Sequence, residues 1–148
     1  MKTYQEWQAL RNTIGLHSNA YINGVFTPAQ SGETFDCINP TDESLLVKVA
    51  SCDEADVNLA TAAAKNAFKS GVWSNMPPNK RKRILQKWAD LLEENQDELA
   101  LIDTLDMGKS ISEMVNIDVP DSIDSLRWSA ECIDKLYGEI APTNPDHL

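Results

Sequence analysis

The stretch "LIDTLDMGKSISE", Leu101 to Glu113, contains Gly108-Lys109-Ser110, the closing residues of a phosphate-binding loop. In G-x-x-x-x-G-K-[ST], backbone amides cradle phosphate oxygens and the lysine reaches the terminal phosphates. The first glycine of that pattern would fall at position 103, where the chain has Asp103, a carboxylate beside phosphates. The residues before it carry a helical apolar pattern, not that of a strand entering a loop. Nucleotide binding here is not expected. Cap chemistry explains the same triplet: Gly108 is a left-handed helix stop, Lys109 faces the carbonyl end, and Ser110 opens the next helix with Glu113 three residues on.

Four acids remain to be explained. Asp103 and Asp106 stand three apart on one helix, and Asp106 lies next to its C-terminus, where a carboxylate opposes the helix dipole. A bound cation or a capped backbone N–H would compensate it. Asp118 and Asp121 repeat the spacing, either as helix caps or as a pair facing a cleft and attracting a cation. Cys37, Cys52 and Cys132 are widely spaced, lack a C-x-x-C and have no histidine nearby in sequence. They are expected to be reduced thiols, core residues rather than nucleophiles. His17 and His147 lie at opposite ends of the chain, which argues against a histidine-rich metal site. "KRKR", Lys80 to Arg83, is followed by acids within two turns and is expected to be a solvated helix face. G-x-S-x-G, H-E-x-x-H and G-x-G-x-x-G are absent from the sequence.

These residues need elements to hold them, and 148 residues suffice for one domain. A net charge of -10 argues against nucleic acid and anionic membranes as partners. The start is too polar for a signal peptide, and no apolar run reaches the ~18 residues of a membrane span. Tyr4, Trp7, Leu10 and Ile14 form one helical stripe, a docking helix. Residues 20–40 are expected to hold two short strands around the tight turn of "YING", and Leu45 to Ser51 a third. A helix comes next, opened by Ser51 and Glu54 or by Asp53 and closed by Gly71. After the prolines of "MPPNK", Ile84, Leu85, Trp88, Leu91 and Leu92 form an amphipathic stripe, "EENQDE" breaks it, and Gly108 ends the next helix. Asp118 is placed to cap the last helix, with Pro120 in its first turn, and "YGEIAP" has strand character. The chain is thus mainly α-helical with three or four short strands.

In that order, "YINGVF", "TFDCINP", "LLVKVA", "AAAKNAF", the long segment through "TLDMGKSISE", and "LRWSAECIDKLYGEIAP" resemble the N-terminal segment of the aldehyde dehydrogenase superfamily. The resemblance runs from Ala20 to the end, and "TLDMGK" and the "NP" after "TFDCI" are its most specific pieces. "RWSAECIDKLYGEIAPT" and the polar, tryptophan-bearing N-terminus resemble the γ-glutamyl-γ-aminobutyraldehyde branch of putrescine breakdown. The parent fold implied is α/β. The implied domains are a docking helix over 1–19, part of the cofactor-binding domain over 20–136 and the start of an oligomerisation hairpin over 137–148.

The implied activity is NAD- or NADP-dependent oxidation of an aldehyde to its carboxylate. A cysteine thiolate attacks, hydride leaves to nicotinamide, a glutamate-activated water releases the acid and an asparagine amide holds the oxyanion. In the family those groups lie beyond the position of Leu148, and none of the three cysteines matches the nucleophile. The chain is therefore expected to be a non-catalytic N-terminal fragment that does not bind the dinucleotide alone. The alternative is a self-sufficient helical interaction or regulatory module. The resemblance also implies a monovalent cation held by the carbonyl oxygens of Cys37 and Ile38 and the carboxylate of Asp106, and substrate-tunnel acids at Asp118 and Asp121. The partners implied are the remainder of the enzyme, further copies of it and a small aldehyde, in the cytoplasm, with neither nucleic acid nor membrane.

Overall fold

The computed structural model describes residues 2–138. In chain order its elements are α1 (Tyr4–Thr13), β1 (Ala20–Ile22), β2 (Val25–Thr27), β3 (Thr34–Ile38), β4 (Leu45–Ala50), α2 (Glu54–Ser70), α3 (Pro78–Glu94), α4 (Gln96–Met107) and α5 (Ile111–Glu113). A π-helical turn (Met114–Asp118) and α6 (Val119–Cys132) complete the order.

α1 starts where Thr3 accepts a hydrogen bond from the Glu6 amide while the Glu6 carboxylate accepts from the Thr3 amide at 2.6 Å. This reciprocal cap satisfies amides that the first turn leaves without partners. Trp7 of the apolar stripe is buried against Leu101 and Leu105 of α4, with Leu10, Ile14 and Leu46 packed around them. Tyr4, at the head of the stripe, stays in solvent.

The segment 20–40 holds three strands where two were expected. Asn23 and Gly24 both have positive φ, 51° and 83°. That is the geometry of a two-residue hairpin turn, so β1 and β2 pair with each other, Tyr21 opposite Phe26. β3 and β4 form a separate antiparallel pair. Its register runs evenly from Thr34 opposite Ala50 to Cys37 opposite Val47, then slips to Ile38 opposite Leu45, so Leu46 is an extra residue.

α2 is capped by Asp53 rather than Ser51. Asp53 accepts from the Ala55 amide at 2.8 Å, and the buried Asp56 accepts from the Asp53 amide at 3.1 Å. A second oxygen of Asp56 takes the Gln30 amide at 3.1 Å, tying the loop after β2 to the helix. Gly71, with φ 73°, ends α2.

Asn95 alone separates α3 from α4, its side-chain amide donating to the Leu91 carbonyl at 2.8 Å. The main core lies between α3, α4, the π-turn and α6, where Ala89, Ala100, Met114, Val119 and Ile123 are buried together. Ala89 and Ala130 are fully buried. Their small side chains let α3 and α6 come close. Ion pairs cross the same helix pair on its outer side: Arg127 with Asp90 at 3.2 Å and Glu93 at 2.5 Å, and Lys82 with Glu131 at 2.8 Å. Lys82 therefore departs from the free, solvated role expected of "KRKR". Hydrogen bonds from Lys135 and Lys82 hold the Glu131 carboxyl down at about 2.

Only part of the stripe expected on α3 faces this core. Leu92 packs inward, whereas Ile84, Trp88 and Leu91 remain exposed. Of "YGEIAP", Tyr137 and Gly138 are irregular, and the rest lies outside the described residues.

α4 ends at Gly108, whose φ is 73° and where a Cβ would stand 2.9 Å from the Pro40 side chain. Gly32 has nearly the same φ, 72°, with nothing within 4 Å. Left-handed strain costs a non-glycine residue about 1–2 kcal/mol, and Gly108 carries the contact in addition. Gly108→Ala is expected to lower the melting midpoint by more than about 4 °C, and Gly32→Ala by about half as much. Thermal melts of the two variants side by side test this.

Candidate functional site

The corner around Gly108 gathers most of the residues singled out by their chemistry. Leu105 anchors the end of α4 in the core, and the next residue, Asp106, turns outward at the carbonyl end of the helix. Its partner is a side chain 69 positions away: the Cys37 thiol donates to Asp106 Oδ1 at 2.9 Å. That hydrogen bond, with burial and the carboxylate charge, raises the Cys37 pKa. Both residues line a largely apolar cavity of about 310 Å³ with His17, Leu46, Ile102 and Leu105. A thiol that is half-buried and held protonated is a poor nucleophile.

The register slip between Cys37 and Ile38 interrupts the ladder beside Asp106. The contact that the structure makes between the expected ligands is through the Cys37 thiol and the Asp106 carboxylate, and Cys37 and Ile38 flank the bulge. Among the described residues no three histidine, cysteine or acidic side chains converge as a metal cluster.

Asp118 and Asp121 are placed differently from one another. Asp118 makes no side-chain cap for α6; it has helical angles, φ -68° and ψ -45°, because the chain runs through the π-turn without a break. The expected cap is therefore corrected, although Pro120 does lie in the first turn of α6. Its carboxylate instead pairs with Lys109 at 2.5 Å. With Asp103 and Ser122 it lines a cavity of about 150 Å³ walled by Leu92, Leu99 and Ile123. Asp121 opens onto a separate groove with Asp124, Ser125 and Trp128.

Ser110 caps the corner as expected, accepting from the Glu113 amide at 3.4 Å. Sequence reasoning misses the Lys109–Asp118 pair. A basic and an acidic residue nine apart signal nothing on a continuous helix, and only the reversal at Gly108 with the π-turn after it makes them neighbours.

With that geometry established, the chain belongs to the aldehyde dehydrogenase family, whose family model matches residues 26–148. It is similar to the aminoacetaldehyde dehydrogenase of Pseudomonas aeruginosa, 44% identical over 93% of this chain and 28% of that protein. It is similar in structure to the indole-3-acetaldehyde dehydrogenase AldA of P. syringae in complex with NAD+, with a TM-score of 0.95 and 49% identity over 99% of this chain and 30% of that one. The γ-glutamyl-γ-aminobutyraldehyde dehydrogenase of Burkholderia cenocepacia gives a TM-score of 0.93 and 45% identity over 97% of this chain and 29% of that one. The chain spans less than a third of the length of the curated relatives it matches, 28% of the aminoacetaldehyde enzyme and 13% of a human mitochondrial 10-formyltetrahydrofolate dehydrogenase.

The Cys37–Asp106 contact predicts an order of thiol reactivity. Exposed Cys52 should alkylate before Cys37, and Asp106→Asn should speed Cys37 several-fold at mildly alkaline pH by removing the charge that holds the proton on sulfur. Peptide mapping after timed iodoacetamide treatment measures both rates. A second expectation concerns Asp103, whose pKa is raised from 3.8 by desolvation first, then by Asp106 and Asp118. A carboxyl raised on folding contributes stability below its unfolded pKa and loses it as pH rises through the folded value. Asp103→Asn should therefore melt higher than the parent chain at pH near 7, and the gap should close when both are melted in acid below the unfolded pKa.

Proposed function

We propose that these residues supply the N-terminal part of an NAD- or NADP-dependent dehydrogenase that oxidises an amine-bearing aldehyde to its carboxylate. The observation that carries the reading is the agreement of almost the whole chain with the aminoacetaldehyde and γ-glutamyl-γ-aminobutyraldehyde enzymes at 44% and 45% identity. In this reading residues 1–19 dock the N-terminus, 20–136 build part of the cofactor-binding domain and 137–148 begin an oligomerisation hairpin. The assembled enzyme is a cytoplasmic oligomer. In this reading Asp118, paired with Lys109, and Asp121 line the substrate route, and the net negative potential left there draws in a cationic aldehyde.

The dinucleotide, when bound, accepts the hydride. The sequence offers it no glycine-rich turn between strand and helix, so no reaction step is assigned to these side chains. Their work is positional. A monovalent cation suits the corner in kind, because the Cys37 and Ile38 carbonyls and the Asp106 carboxylate are hard oxygen donors. The thiol engages one Asp106 oxygen and leaves the other available to such an ion.

The test compares two aldehydes of equal length, one ending in an ammonium group and one neutral, with NAD+ and NADP+. The intact enzyme containing these residues should show a KM roughly ten-fold lower for the cationic aldehyde. Equal KM values would remove the amine-bearing substrate from the reading. The purified 148-residue chain should reduce neither cofactor, and a measurable rate from it would overturn its non-catalytic assignment.

A further inference from the structure

The two acids at the head of α6 are chemically alike and three residues apart, yet among the described residues only one has a cation on it. Lys109 Nζ lies 2.5 Å from Asp118 Oδ2, with both side chains about one-third exposed. No other ion pair among the described residues spans the reversal between α4 and the π-turn. The lysine lies between Gly108, whose left-handed backbone stands close to Pro40, and Ser110, which caps α5. The aspartate is held by the π-turn and by Val119, buried in the core on its C-terminal side. The pair thus links the two sides of the reversal. Asp121, on the next turn, forms no such pair among the described residues and opens onto its groove.

We propose that Lys109 is a selectivity-setting positioning residue: it neutralises Asp118 and fixes the π-turn, so that Asp121 carries the unshielded charge at the head of α6. The inference rests on the aminoaldehyde reading above. The lysine touches neither substrate nor cofactor. It limits the negative potential of the route, which keeps a cationic aldehyde from binding tightly before reaction, where uniform binding adds nothing to turnover.

The experiment replaces Lys109 in the intact enzyme and measures the cationic and neutral aldehydes in parallel. Lys109→Met should lower KM for the cationic aldehyde about three-fold relative to the neutral one, because the unit positive charge beside Asp118 has gone. Lys109→Arg should restore the parent ratio. An unchanged ratio in Lys109→Met, or no rescue by arginine, would overturn the proposal. If the intact enzyme oxidises neither aldehyde, the functional reading has failed, and the pair is judged by stability alone. Lys109→Met and Asp118→Asn should then each lower the melting midpoint, and the double variant should melt no lower than the worse single one. Additive losses would show that the two side chains act independently and would end the proposal.

Discussion

Everything beyond α4 is aimed by one reversal of the backbone. At Gly108 the chain turns left-handed with Pro40 closer than van der Waals contact to where a side chain would begin, so only a glycine lets the end of α4 lie this near the loop that leaves β3. The next residues inherit that alignment: Ser110 starts a helix, the helix widens into a π-turn, and α6 falls back across α3. Ala89 and Ala130, both fully buried, allow the close approach, which brings Arg127 within reach of Asp90 and Glu93.

The features that depend on neighbours in sequence are the legible ones. Gly71 and Gly108 end helices because left-handed backbone is cheap only for glycine. Asn23-Gly24 makes a hairpin turn for the same reason, and Trp7 sits on the one apolar stripe of its helix. Where two local solutions compete, tertiary contact chooses between them. Ser51 and Asp53 both offer a cap; Asp53 prevails because Asp56 returns the hydrogen bond while also holding Gln30. The exposed positions on α3 obey a sound periodicity, since amphipathicity states which face is apolar and not how much of it the described residues cover.

The candidate site is legible as a set of residues and hidden as a set of contacts. Asp106 is marked by its misfit with the helix dipole, which implies a partner. That a thiol from β3 supplies the proton is invisible in the sequence, because nothing there announces a contact across 69 positions. Asp118 and Asp121 are marked by spacing alone. Spacing treats them as equals. The structure separates them: Asp118 lines the cavity with Asp103 and Ser122, and Asp121 the groove with Trp128.

Asp56 carries a constraint of a different kind. Each of its two oxygens takes one backbone amide, from Gln30 and from Asp53. An asparagine there would have one acceptor and would turn its own N–H groups toward the second amide, while a glutamate would carry the same two acceptors on a longer arm. A loop residue and the first turn of a helix are thereby made to share a single side chain. Drift at that position is limited by the need for two acceptor oxygens, however freely the alanine-rich face of α2 changes around it.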